Sequence, residues 1–188
     1  VAAAIVAQQP QLILVPTCGK LLDALGRATR TIPIVVMACN DDLVASGHVA
    51  SLARPGGNIT GNSGLSPELI TKRLEILKDT IPKLDRVGLL HGSSYNPGVE
   101  QQLKELRVAA PALKVKLEEI TTQLDAQGLE SAFKTAKQKQ VGAIMISSGR
   151  RFSDERKRIV ELAGKYRLPA IYPHKEYVDE GGLMFYGA

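Results

Sequence analysis

The sequence has few of the residues on which several classes of protein depend. Its 188 residues include no Trp, five Tyr and three Phe, so that aromatic residues make up only 4% of the chain. Proteins that bind single-stranded nucleic acid stack the bases on aromatic side chains, which this composition does not supply. The formal net charge of +5 is modest, and its scattered lysines and arginines are typical of a solvated surface. We therefore expect no nucleic-acid partner.

Cysteine, histidine and long apolar runs are also scarce. Cys18 and Cys39 are too few for a disulfide scaffold and too far apart for a CxxC motif. Whether they pair with each other is left open, because the sequence does not establish their geometry. The three histidines form no HxxxH pair, and a structural zinc site needs about four ligands. The sequence predicts no metal site and no cofactor. It also contains no visible signal segment and no apolar run of the roughly eighteen residues that cross a membrane.

Short apolar runs alternate with amphipathic segments along the whole chain. The apolar period predicts strands over residues 11–17, 32–38, 58–64, 86–92, 114–120, 141–148, 168–174 and 181–187. Helical spacing predicts helices between them, over residues 19–30, 43–53, 66–82, 97–111, 127–139 and 153–167. This alternation indicates parallel sheets covered by helices, an α/β fold.

The glycine-rich stretch "SLARPGGNITGNSGLS", residues 51–66, separates two groups of strands. Its glycines precede a predicted strand instead of following one, so we interpret Gly56 and Gly57 as a tight turn and not as a phosphate-binding loop. We predict two doubly wound parallel-sheet lobes, the first of them incomplete. The predicted domains are a partial first lobe at 1–62, a second lobe at 63–183, and a crossing back toward the first lobe at 184–188.

Small polar side chains recur where the predicted strands end. Ligands of open parallel sheets bind beyond the carboxyl ends of the strands. Helix caps and turns use the same residue types, so the recurrence at several strand ends, and no single position, favours a polar ligand cleft. The candidate ligand-binding residues are Thr17, Cys18, Asn40, Asp41, Ser63, Ser94, Asn96, Ser147, Tyr172 and Tyr186.

Two longer stretches carry a resemblance to a known family. "TIPIVVMACNDDLVASGHVASLARPGGNITGNSGLSPELITKRLEILKDTIPKLDRVGLL" and "LPAIYPHKEYVDEGGLMFYG" resemble the extracytoplasmic substrate-binding proteins of ABC transporters. The pair "RPGGNITG" and "GGLMFYG" is specific, and the resemblance extends over essentially the whole chain. It implies a fold like that of type I periplasmic binding proteins, in which a hinge joins two lobes and the ligand lies in the cleft between them.

The resemblance also implies a function. The protein would capture a small polar or aromatic ligand, such as an amino acid, without catalysis, and would deliver it to the permease subunits of an ABC importer. It would work in the periplasm or outside the cell, associated with the membrane through the transporter. Asp41 would bind an amino group of the ligand or cap the predicted helix 43–53. Asp42 stands where the family usually has proline, which changes the expected shape of that loop.

Two further hypotheses stay open at this point. The "ACN" stretch around Cys39 is similar to that of cofactor-independent amino-acid racemases, so a racemase-like enzyme using Cys39 is the alternative function. Those enzymes place one cysteine in each lobe, whereas both cysteines here lie in the first half of the chain. An incomplete first lobe would also expose a sheet edge, which favours a homo-oligomer formed through that edge.

Overall fold

A computed structural model of the chain describes residues 1–39, 43–44, 46–63, 66–93 and 97–187. The chain divides into two compact units, Val1–Leu65 and Ser66–Ala188. Each unit contains one sheet in which every paired strand is parallel to its neighbour. The predicted α/β fold with parallel sheets is thereby confirmed, while the predicted domain boundaries stay a prediction.

The first unit holds a three-stranded sheet in the order β1-β2-β3, formed by β1 (Ile13–Thr17), β2 (Ile34–Cys39) and β3 (Ile59–Ser63). Two helices, α1 (Ala2–Ala7) and α2 (Lys20–Ala28), contribute to the apolar cluster on one face. Ile13 and Val15 are buried in this cluster, whereas Leu14 between them is 56% exposed. The period of two along β1 therefore gives the sheet one buried face and one exposed face.

The helix predicted over residues 43–53 is wrong. Of the residues described in this segment, 43–44 and 46–53, none is helical. The amides of Gly47 and His48 bond back to the carbonyls of Val44 and Leu43, and Gly47 has a φ of 74°. This is the pattern by which a glycine in the left-handed region ends a helical turn. The apolar residues keep a helical spacing through the segment, but the left-handed conformation of Gly47 prevents a helix from continuing there.

The second unit holds a five-stranded parallel sheet in the order β5-β4-β6-β7-β8. The strands are β4 (Arg86–Gly92), β5 (Lys116–Thr122), β6 (Ala143–Ile146), β7 (Ala170–Tyr172) and β8 (Met184–Phe185). The helices are α3 (Ser66–Thr80), α4 (Pro97–Ala112), α5 (Ala126–Gln138), α6 (Arg150–Asp154), α7 (Arg156–Lys165) and α8 (Glu176–Asp179). Predicted helix 153–167 thus starts earlier, at Arg150, and is interrupted at Glu155.

Helices cover both faces of this second sheet. Along β4, Val87 and Leu89 pack into a cluster with residues of α3 and α4, and Leu90 packs into another with residues of α5 and α7. Residues Val87 to His91 are all buried, as expected for a parallel strand with helices on both sides. The doubly wound arrangement is present in this unit.

Within the described residues, no helix is long and apolar enough to span a bilayer.

Candidate functional site

The sheet of the second unit reverses its winding between β4 and β6. These strands lie side by side, but the chain leaves them on opposite faces. After β4 it enters α4, which packs on the face of Leu89, and after β6 it enters α6 and α7, which pack on the face of Ile144. Such a reversal opens a crevice at the carboxyl ends of the strands, where α/β proteins bind their ligands.

A cavity of about 520 Å³ lies in this crevice. This volume falls within the range of roughly 300–1,000 Å³ that is typical of small-molecule sites. Its lining comes from the last residues of β4 and β5 and from the segments that follow β4, β5 and β6: Gly92, Ser93, Val99, Thr122, Gln123, Leu124, Asp125, Ser148, Gly149, Arg150, Arg151 and Phe152. The cavity therefore combines residues of three neighbouring strand ends.

The described lining contains two positively charged residues and one negatively charged residue. Asp125 is the acidic residue of the lining. Its carboxylate accepts a hydrogen bond of 2.7 Å from the amide of Gly128 and caps α5. Arg150 and Arg151 are exposed, and neither forms an ion pair with any residue of the described chain. The lining thus carries an excess of positive charge on groups that are free to bind an anion.

Apolar groups form another part of the same lining. Phe152 is 4% exposed and belongs to the core cluster of α5 and α7, against which the partly buried Leu124 packs. Val99, in the first turn of α4, is also buried. A lining of apolar side chains with a few polar and charged groups is the usual composition of a ligand pocket.

Tyr186, one of the predicted site residues, follows β8 in the same sheet. Its backbone carbonyl accepts a 2.6 Å hydrogen bond from Nε of Arg73, a residue of α3 that is 2% exposed. The tyrosine side chain itself remains partly exposed. One terminal nitrogen of Arg73 is buried without a hydrogen-bond partner in the described chain, and burial lowers the pKa of this guanidinium to about 10. Arg73 therefore fixes the backbone of Tyr186 and leaves its ring available.

His174, two residues beyond β7, shares this environment. Burial lowers its pKa below the ordinary value, the neighbouring Glu176 raises the pKa to a smaller extent, and Arg73 lowers it further. His174 is only partly buried and also lines a smaller cavity of about 310 Å³ with Ser153, Arg156, Glu176 and Tyr177. The neutral form of the imidazole is favoured at this position.

Two other predicted site residues lie deep in the second unit. Ser147 is completely buried, and its Oγ has no hydrogen-bond partner within the described chain. Tyr172 is 1% exposed, and its ring stacks on that of Tyr177 with 4.7 Å between the centroids. Burial raises the pKa of Tyr172. Neither residue lines the 520 Å³ cavity, and their ligand-binding roles stay predictions.

The remaining predicted residues are described in part or not at all. Asn40, Asp41, Ser94 and Asn96 lie outside the described residues. Thr17 and Ser63 are described only through their backbone, which ends β1 and β3 at the carboxyl edge of the first sheet. Their predicted contacts with a ligand therefore stay predictions.

Cys18 and Cys39, whose pairing the sequence left open, form a disulfide across the carboxyl ends of β1 and β2. Their Cα atoms are 5.1 Å apart, within the range that a disulfide bridges. The racemase-like hypothesis requires a free thiol at Cys39, because the thiolate is the reactive form of cysteine. In this structure Cys39 has no thiol to ionise.

None of the predicted site residues that the structure describes lines this cavity, so sequence reasoning missed the whole of its described lining. Thr122, Asp125, Arg150, Arg151 and Phe152 were not among its candidates. The usable signal was the pair of arginines immediately after "ISSG", at the predicted end of a buried strand. Around the site and elsewhere in the described residues, no group of three or more His, Cys, Asp or Glu side chains is arranged to hold a metal ion.

Comparisons with known proteins agree with this architecture. A "Tyrosine-binding protein" from Clostridioides difficile is 40% identical over 67 residues, which are 36% of this chain and 19% of that protein. The crystal structure of a conserved domain protein from Vibrio cholerae O1 biovar eltor superimposes with a TM-score of 0.77 at 27% identity, covering 99% of this chain and 60% of that one.

A third similar structure is the ABC domain in complex with L-Trp from Streptococcus pneumoniae, with a TM-score of 0.78 and 22% identity. The superposition covers 100% of this chain and 61% of the Streptococcus pneumoniae chain. This chain therefore spans less than two thirds of the length of these relatives. The family model "ABC transporter substrate binding protein" matches residues 1–188. The chain belongs to the family of ABC transporter substrate-binding proteins.

Proposed function

We propose that this protein is the extracytoplasmic substrate-binding component of an ABC importer and captures a small polar or aromatic ligand, of which an amino acid is the best-supported class. The observation that carries this proposal is the family match over residues 1–188. The 520 Å³ cavity at the carboxyl ends of β4, β5 and β6 gives the function a physical site. The protein binds its ligand and releases it unchanged.

The names of the relatives support an amino-acid ligand with an aromatic side chain. The Clostridioides difficile relative, 40% identical over 67 residues, is a tyrosine-binding protein. The Streptococcus pneumoniae structure contains L-Trp. The cavity has hydrogen-bonding groups on Ser93 and Thr122 and apolar surface on Phe152 and Leu124. An aromatic amino acid carries both kinds of group.

The proposal includes a place of action and partners. Permease subunits of the transporter receive the ligand, and the protein acts in the periplasm or at the outer surface of the cell, associated with the membrane through those subunits. A disulfide between Cys18 and Cys39 suits that location, because disulfides persist in oxidising compartments. A homo-oligomer formed through an exposed sheet edge stays a prediction.

A thermal-shift screen tests the function in the protein expressed from its complete gene. The panel contains amino acids, small aromatic acids, sugars and oligopeptides. A ligand that binds only the folded state raises the melting temperature, so we expect a shift with the amino acids Tyr and Trp. Asp41→Ala and Tyr186→Ala should reduce the shift. The exposed Asp179, which pairs with Lys175, provides the control Asp179→Ala, which should keep it.

Proton exchange distinguishes transport from racemase chemistry. A binding protein leaves the Cα proton of each amino acid in place, whereas a racemase exchanges it with D₂O and loses that activity on Cys39→Ser. A flat screen of the complete protein would contradict an amino-acid ligand. Exchange that depends on Cys39 would contradict transport binding and favour the enzyme.

A further inference from the structure

We propose that Arg150 and Arg151 form a carboxylate-binding subsite in the cavity of the second unit, so that the ligand is a carboxylate with an apolar or aromatic body. This inference rests on the proposed function and names the determinant of its ligand class. Arg150 and Arg151 follow one another in the chain, and both line the cavity.

The charges of the lining are not balanced. Both arginines line the cavity, and neither has an acidic partner in the described part of the chain. Asp125, the carboxylate of the same lining, already accepts the hydrogen bond from Gly128 that caps α5. The neighbouring Arg156 and Arg158 differ, since they pair with Glu180 and Glu155. Of these four neighbouring arginines, the two that line the cavity have no acidic partner among the described residues.

A guanidinium group is well suited to bind a carboxylate. Its planar fork of N–H donors matches the two oxygens of a carboxylate and forms paired, charge-assisted hydrogen bonds. Apart from the carboxylate of Asp125, which caps α5, the oxygen-bearing side chains of the lining are neutral: Ser93 and Thr122 contribute hydroxyls, and Thr122 donates to the carbonyl of Gln123 at 2.8 Å. A cation would need free carboxylates, and the carboxylate of the lining, that of Asp125, already caps α5. The lining therefore favours an anion over a cation.

Phe152, Leu124 and Val99 form an apolar wall of the cavity. Phe152 follows directly after Arg151 and is 4% exposed, so its ring is held by the core. Leu124 and Val99 line the same cavity. A carboxylate bound to the arginines would place the rest of the ligand near this wall. An apolar or aromatic body would then bury apolar surface, which contributes favourably to binding.

Calorimetric titration of the complete protein tests the subsite with L-tyrosine and L-tyrosinamide as probes. The amide keeps the ring and the amino group and lacks the carboxylate charge. We expect the native protein to prefer L-tyrosine by roughly ten- to hundredfold, the range for a hydrogen bond to a charged group. Arg150→Gln combined with Arg151→Gln should reduce this ratio to near one, and a lysine at each position should retain part of it.

Arg158→Gln is the matched control, because Arg158 is an exposed arginine that pairs with Glu155 and does not line the cavity. It should keep the native ratio. Since both cavity arginines are exposed, their variants should melt at the native temperature, which separates lost binding from lost folding. If L-tyrosine binds and the ratio survives in the double variant, the subsite is wrong and the transport function stands. If neither probe binds the native protein, the aromatic amino-acid ligand is wrong, and the subsite with it.

Discussion

Tyr172 and Tyr177 stack their rings at the end of β7, with centroids 4.7 Å apart and planes inclined by 12°. Both residues belong to the apolar cluster that also contains Phe133 and Ile144. We expect Tyr172→Ala to lower the free energy of unfolding by about 3–5 kcal/mol, because it removes a buried ring and leaves a cavity. Urea denaturation measures this loss. Tyr172→Phe, which keeps the ring, should cost less than about 1.5 kcal/mol, and equal losses in the two variants would contradict the packing role.

His174 gives the second unit a pH dependence of known sign. Burial lowers its pKa in the folded state, whereas an unfolded histidine titrates near 6.5. As the pH falls through this value, the unfolded chain binds a proton that the folded chain does not, so the folded state loses stability. We expect His174→Gln to flatten the fall in stability below about pH 6.5. Unfolding curves at a series of pH values measure it, and parallel profiles for the two proteins would refute the assignment.

The sequence indicated which residues lie at strand ends, but it did not indicate whether their side chains are buried or exposed. Tyr186 was named from its position at a strand end, and its ring is partly exposed beside a backbone fixed by Arg73. Tyr172 was named on the same grounds, and its ring is buried. Tyr172 is the last residue of β7, whose residues are all buried, whereas Tyr186 lies beyond β8, where the alternation of buried and exposed positions no longer indicates the direction of a side chain.

The disulfide between Cys18 and Cys39 links two neighbouring elements, β1 and β2, at their carboxyl ends. The sequence separation of 21 residues corresponds to a stabilisation of about 3 kcal/mol from the restricted unfolded chain. We expect dithiothreitol to lower the melting temperature of the native protein. The double variant Cys18→Ala, Cys39→Ala should melt lower and be insensitive to the reductant. Free thiols in the unreduced native protein, detected by alkylation and mass spectrometry, would contradict the pairing.

Helix α5 begins with a cap that also belongs to the cavity. Asp125 accepts a 2.7 Å hydrogen bond from the amide of Gly128, one of the donors that the first helical turn leaves unpaired. Asp125→Ala should lower the free energy of unfolding by about 1 kcal/mol, and Asp125→Asn by only a few tenths. Chemical denaturation distinguishes the two. If alanine costs no more than asparagine, the side chain does not cap the helix.

Elements were predicted well where the apolar period was long and were missed where one backbone angle decided. Strand β4 was predicted with its observed ends, since five consecutive buried residues mark a central parallel strand. The segment 43–53 has apolar residues at helical spacing as well. The backbone of this segment turns at Gly47, which has a φ of 74°. Glycine adopts such positive φ angles readily, and the spacing of apolar residues does not reveal where it does so.

At the scale of the whole molecule, the alternation of strands and helices was sufficient to predict two parallel sheets. Their strand orders, β1-β2-β3 and β5-β4-β6-β7-β8, were not predicted, because pairing depends on contacts distant in sequence. The position of the cavity follows from that order, since the reversal between β4 and β6 opens the crevice. Arg150 and Arg151 became candidates only once this position was known.

A crystal structure of the complete protein with L-tyrosine would test the central claim most directly. The account predicts that the ligand lies in the cavity at the carboxyl ends of β4, β5 and β6, with its carboxylate within hydrogen-bonding distance of Arg150 or Arg151. Its ring should lie against the wall formed by Phe152 and Leu124. A ligand bound at another surface, or an empty cavity at saturating L-tyrosine, would contradict the account.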